Sequence, residues 1–99
     1  MGIKNTIKAL NQIAAGIVRT SPQQATSIST DSLEQSKKTD DLDLIRDSLH
    51  LNVRALNAQG KTSEAIRQLK NHQQFIDPGC QKFEQLKKEV ERGFDNSYR

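Results

Sequence analysis

Two histidines, His50 and His72, and one cysteine, Cys80, are the side chains of this chain best suited to nucleophilic or acid–base chemistry near neutral pH. His72 and Cys80 fall on adjoining predicted helices, so a thiol–imidazole pair is open to them. Such a pair also needs a third group to orient the base, and donors for a developing oxyanion. No nucleophile elbow or oxyanion loop precedes Cys80. His72 therefore reads as a surface or interface residue, and Cys80 as a small apolar first-turn residue. Neither HxxxH nor CxxC spacing occurs, so no metal site is expected. The five glycines (Gly2, Gly16, Gly60, Gly79 and Gly93) are isolated from one another, which leaves no phosphate-cradling loop and no expected cofactor. The expectation is a protein that is not an enzyme.

Charge narrows the remaining classes. The net +3 is built from +3 over residues 1–20, −2 over 21–41, zero over 42–60 and +2 over 61–99. Lys61, Arg67, Lys70, Lys82, Lys87, Lys88 and Arg92 form the densest basic region, but Glu84, Glu89 and Glu91 interrupt it. A nucleic-acid groove needs an unopposed basic stripe, so nucleic acid is not an expected partner. No apolar run approaches the ~18 residues of a membrane span. A single cysteine excludes an intrachain disulfide framework and fits a reducing, cytoplasmic setting.

The elements follow from periodicity. Ile3, Ile7, Leu10, Ile13 and Ile17 recur at helical spacing, with Ala14 and Val18 beside them, so residues 1–19 read as an amphipathic helix. Pro22 blocks its continuation. Residues 20–39 are dominated by Ser, Thr, Gln, Asp and Lys, and Ile28 and Leu33 form no periodic face. Such a segment reads as a flexible polar linker, which makes the first helix a tethered, separate part whose apolar stripe is expected to dock on the later helices or on a partner groove.

Residues 40–94 read as a helical module. Thr39 or Asp40 can cap a helix whose stripe is Leu42, Ile45, Leu49, Val53 and Leu56, widened by Leu44, Leu51, Ala55 and Ala58 and stopped by Gly60. A second helix runs from Thr62 or Ser63 to about Phe75 with Ala65, Ile66 and Leu69 inward. Asp77 and Pro78 supply a cap and a first-turn proline for a third, with Phe83, Leu86, Val90 and Phe94 inward. Residues 95–99 read as a frayed tail. No segment alternates as a strand does. The expected class is all-α: an antiparallel hairpin plus a third helix, with the tethered amphipathic helix in front.

The stretch from Leu49 to Pro78 resembles a tetratricopeptide repeat. Leu49 takes the first large position, Leu56 the aromatic one, Ala65 the small contact between the two helices, and Pro78, one residue late, the closing proline. Asn52 stands where the repeat has Leu, Val53 where it has a small residue, and His72 at another small position. A plain three-helix unit is the alternative. The resemblance implies a repeat that cannot bury its own apolar face, and hence a core completed by another protein or a copy of itself.

The function expected is a small non-catalytic protein–protein interaction module acting as adaptor, chaperone or assembly subunit. Leu49, Asn52, Val53, Leu56 and His72 are its partner-binding candidates, with Ile3, Ile7, Leu10, Ile13 and Ile17 as the contact face of the N-terminal helix. The alternative is a membrane-targeted or type III-exported bacterial effector that works through its N-terminal helix, with Lys4, Lys8 and Arg19 meeting anionic headgroups.

Overall fold

The computed structural model describes residues 2–76 and 79–97. The expected cap at Asp77 and the proline at 78 lie outside the described residues, as does the side chain of Phe94. Five helices succeed one another: α1 (Ile3–Ile17), α2 (Pro22–Lys37), α3 (Leu42–Ala58), α4 (Thr62–Asn71) and α5 (Gln81–Ser97), with a 3-10 turn at Gln73–Phe75. No strand occurs among the described residues, and the fold is all-α. Backbone helix continues to Ser97, beyond the boundary at 94 that periodicity suggested.

The main departure from the sequence reading is α2. Residues 22–37 form a helix where a flexible linker was expected. Pro22, read as the stop of α1, is also the first residue of this helix, where a missing N–H is harmless. Its buried face is Ala25, Ser29, Ser32, Leu33 and Ser36, a helical stripe made mostly of small residues. Each serine hydroxyl on it bonds a carbonyl three residues back: Ser29 to Thr26 (3.1 Å), Ser32 to Ser29 (3.0 Å) and Ser36 to Leu33 (2.8 Å). The hydroxyls are thus buried without loss, and the small side chains let α3 approach closely.

Short connections turn each helix back on the last. Asp41 caps α3 by accepting from Asp43 N (3.1 Å) and Leu44 N (3.3 Å). Leu44 N–H, then the ammonium of Lys4 at 3.4 Å, holds the Asp41 carboxyl below its ordinary range. Gly60 closes α3 at φ +81°, with Lys61 N bonded to Leu56 O (2.9 Å) and Gly60 N to Asn57 O (3.0 Å). Asp40 plays the same left-handed part after α2 at φ +58°.

The helices lie in two layers, α1, α3 and α5 in one and α2 and α4 in the other, with α3 packed against all four neighbours. Dimensions of 48 × 31 × 19 Å fit a stack two helices thick. On one side of α3, Ile45, Leu49, Val53 and Leu56 meet Leu33 of α2, Ala65 of α4 and Phe83, Leu86 and Val90 of α5. On the other, Leu51 and Ala55 meet Ala14, Val18 and Ala25. The breadth of the α3 stripe is explained by these two cores. Leu42, at its start, is instead 47% exposed.

Two consequences correct the sequence reading. The N-terminal helix is docked on α2 and α3, and an ordered helix rather than a flexible tether joins it to α3. The face of α3 expected to need a second chain is covered by this chain's own α2, α4 and α5.

Candidate functional site

The expected partner-binding residues lie in the interior. Leu49, Val53 and Asn52 are fully buried, and Leu56 nearly so. Asn52 links three helices: its Nδ2 donates to Ser29 Oγ (3.1 Å) and Thr30 Oγ1 (2.9 Å) of α2, and its Oδ1 accepts from Gln68 Nε2 of α4 (3.1 Å). His72 is buried, with Nδ1 2.8 Å from the carbonyl oxygen of Gln68 and its ring tilted against Phe75 at 6.1 Å. A carbonyl only accepts, so Nδ1 carries the proton. Cys80 is half-buried at the edge of the larger core. These side chains hold the fold, and Asn52 and Leu56 also reach the floor of a shallow groove of about 330 Å³ between α2, α3 and α4.

The five-residue face expected of α1 is divided. Ile7 points fully inward, together with Asn11, Ala14 and Val18, whereas Leu10 and Ile17 are half-buried. Ile3 (45%) and Ile13 (52%) face outward. Asn11 does for α1 what Asn52 does for α4: its Oδ1 accepts from Ser32 Oγ of α2 (2.8 Å), and its Nδ2 donates to Ser48 Oγ of α3 (3.1 Å).

What the layering opens is a groove of about 490 Å³ running across α1, α3 and α5. Lys8 comes from α1, Asp47, His50 and Arg54 from α3, and Lys82 from α5, with Leu44, Leu51 and Ala15 as the apolar part. Lys82 Nζ meets Asp47 Oδ1 at 3.0 Å and so ties α5 to α3. His50 packs edge-on to Phe83, centroids 5.6 Å apart. Burial, reinforced by the cations Lys82 and Arg54 and opposed by Asp47, pushes the His50 imidazole down to about 4. The groove therefore presents three cations, one carboxylate and a neutral histidine at pH 7. Among the described residues no group of three or more His, Cys, Asp or Glu could hold a metal ion.

No protein-family model, curated protein or solved structure matches the chain significantly.

Lys8, His50, Arg54 and Lys82 were not singled out as a site by their spacing alone. One signal was present: Asp47, His50, Leu51 and Arg54 share one face of α3, away from Leu49, Val53 and Leu56. Their meeting with Lys8 depends on α2 laying α1 beside α3. A chain read with a linker at 20–39 gives no reason to bring them together. No described helix is long and apolar enough to cross a membrane.

Proposed function

We propose that the protein is a non-catalytic, cytoplasmic protein–protein interaction module, an adaptor, chaperone or assembly subunit, whose recognition face is the groove across α1, α3 and α5. The observation that carries this reading is the groove's charge. Lys8, Arg54 and Lys82 against Asp47 leave it positive, with Leu44 and Leu51 on its apolar part. That combination favours an extended, acidic segment of another protein, bound by charge at the rim and by small apolar side chains between.

A tetratricopeptide-like arrangement fits the same reading. The starts of α1, α3 and α5 (Ile3, Leu42 and Gln81) are 39 residues apart at each step. Ala25 and Ala65, both fully buried, are each the fourth residue of the second helix of a pair. Two hairpins and a closing helix would account for both regularities.

The membrane or export reading of α1 rests on the outward Ile3 and Ile13. It is disfavoured by where the charges go: Lys4 pairs with Asp41 and Lys8 lines the groove. A helix lying on anionic lipid needs its basic residues flanking the outward apolar stripe.

Selection from a random peptide display library on the full chain tests the proposal. Enrichment of acidic peptides whose binding is lost in the Arg54→Glu/Lys82→Glu variant supports it. Enrichment of peptides indifferent to both changes, or of none, contradicts it.

A further inference from the structure

A second groove, of about 440 Å³, lies between α4 and α5 on the far side of the molecule from α1. Ile66 and Leu69 of α4, Ile76 after the 3-10 turn and Phe83 of α5 form its apolar part. All but Phe83 remain half-exposed. Its cause lies in helix length: α4 has 10 residues, whereas α2, its counterpart in the same layer, has 16. The earlier pairs, α1 with α2 and α3 with α4, are each covered by the helix that follows.

Charge at the rim selects an occupant. Lys70 and Lys87 stand beside Glu84 and Glu91, two cations and two carboxylates, all exposed. Such a rim offers a strongly acidic or basic partner as much repulsion as attraction. It does match itself, because a two-fold contact sets each patch against its own copy, and each lysine can then face a glutamate. Two chains of net charge +3 repel over most of their surface, above all near the acid-free residues 1–20. At the charge-balanced α4–α5 rim that repulsion is small, and Ile66, Leu69 and Ile76 offer apolar surface beside it.

We propose that two copies of this chain associate through the α4–α5 groove about a two-fold axis. Ile66, Leu69 and Ile76 of each copy then become buried in a shared four-helix layer, with the Lys70, Lys87, Glu84 and Glu91 side chains pairing across the axis. The contact leaves the groove of α1, α3 and α5 open, so it stands independently of the function proposed above.

Sedimentation velocity of the full-length chain, from about 1 μM to about 1 mM in moderate salt, tests it alongside two charge variants. Glu84→Lys/Glu91→Lys makes the rim wholly basic, and Lys70→Glu/Lys87→Glu makes it wholly acidic. The expected result is a concentration-dependent dimer for the natural chain, at least tenfold weaker self-association in each variant, and a heterodimer when the two variants are mixed. Helix content by circular dichroism establishes that both variants fold. A natural chain that stays monomeric throughout would overturn the proposal. So would a dimer that both variants leave intact, or folded variants that fail to recover association on mixing.

Discussion

Asn52 carries more of the structure than any other polar residue, since its amide reaches Ser29 and Thr30 on one side and Gln68 on the other. Read from the sequence alone, Asn52 was a partner-binding candidate standing where the repeat has Leu. The structure gives it a structural role. Asn52→Leu removes all the hydrogen bonds of this amide and forces a larger side chain among Ser29, Thr30 and Gln68. A loss of about 2 kcal/mol, or a Tm lower by roughly 10 °C, is expected in thermal melts. Gly60 supports a different expectation. A Cβ there would meet no atom within 4 Å, yet φ is +81°. Gly60→Ala should therefore destabilise by about 1 kcal/mol through backbone strain alone, measurable as a lower urea midpoint at unchanged slope. His50 predicts a pH dependence. Its folded value of about 4 lies below the ordinary 6.5, so the unfolded chain binds the proton more readily. The stability it contributes is complete above pH 6.5 and is lost as pH falls towards 4, by about 1–2 kcal/mol after solvent screening. Asp41, held below its ordinary 3.8, extends the loss to still lower pH. Urea midpoints at pH 7.5 and 4.5 measure the fall, and His50→Gln should flatten it.

At the scale of elements, α3 and the inward faces of α4 and α5 were legible because Leu49, Val53, Leu56, Leu86 and Val90 repeat at helical spacing and are buried as that spacing requires. α2 was not. Its buried stripe is Ala25, Ser29, Ser32 and Ser36 around a single Leu33, and apolar periodicity does not register a face made of small polar residues. The placement of α1 was hidden for the same reason, because α2 is what returns the chain to lay α1 on α3. With it went the groove, whose Lys8 and Arg54 lie 46 residues apart in sequence. Close packing along α2 implies that Ala25→Leu overpacks the contact with α3 and costs about 1–3 kcal/mol, read as a lower Tm. Deleting residues 1–20 should destabilise far more, since it uncovers Leu51 and Ala55 and strips Ser32 and Ser48 of Asn11. Unfolding of that truncated chain by urea at a much lower midpoint is the expected outcome. A midpoint equal to the full chain's would mean that α1 is not part of the core.

For the whole molecule, two layers of helices produce one basic groove and one charge-balanced cleft on different faces. Binding of an acidic segment to the first should weaken steeply as salt rises. The first of these surfaces depends on α2. Without an ordered helix there, α1 is not held beside α3 and the groove loses Lys8. Amide hydrogen exchange of the full-length chain, followed residue by residue by NMR, is the most direct measurement of this dependence. Protection across residues 25–37 comparable to that of α3 is the predicted result. Exchange over that segment at the rate of an unstructured chain, with α3 still protected, would contradict the single five-helix stack and the groove built on it.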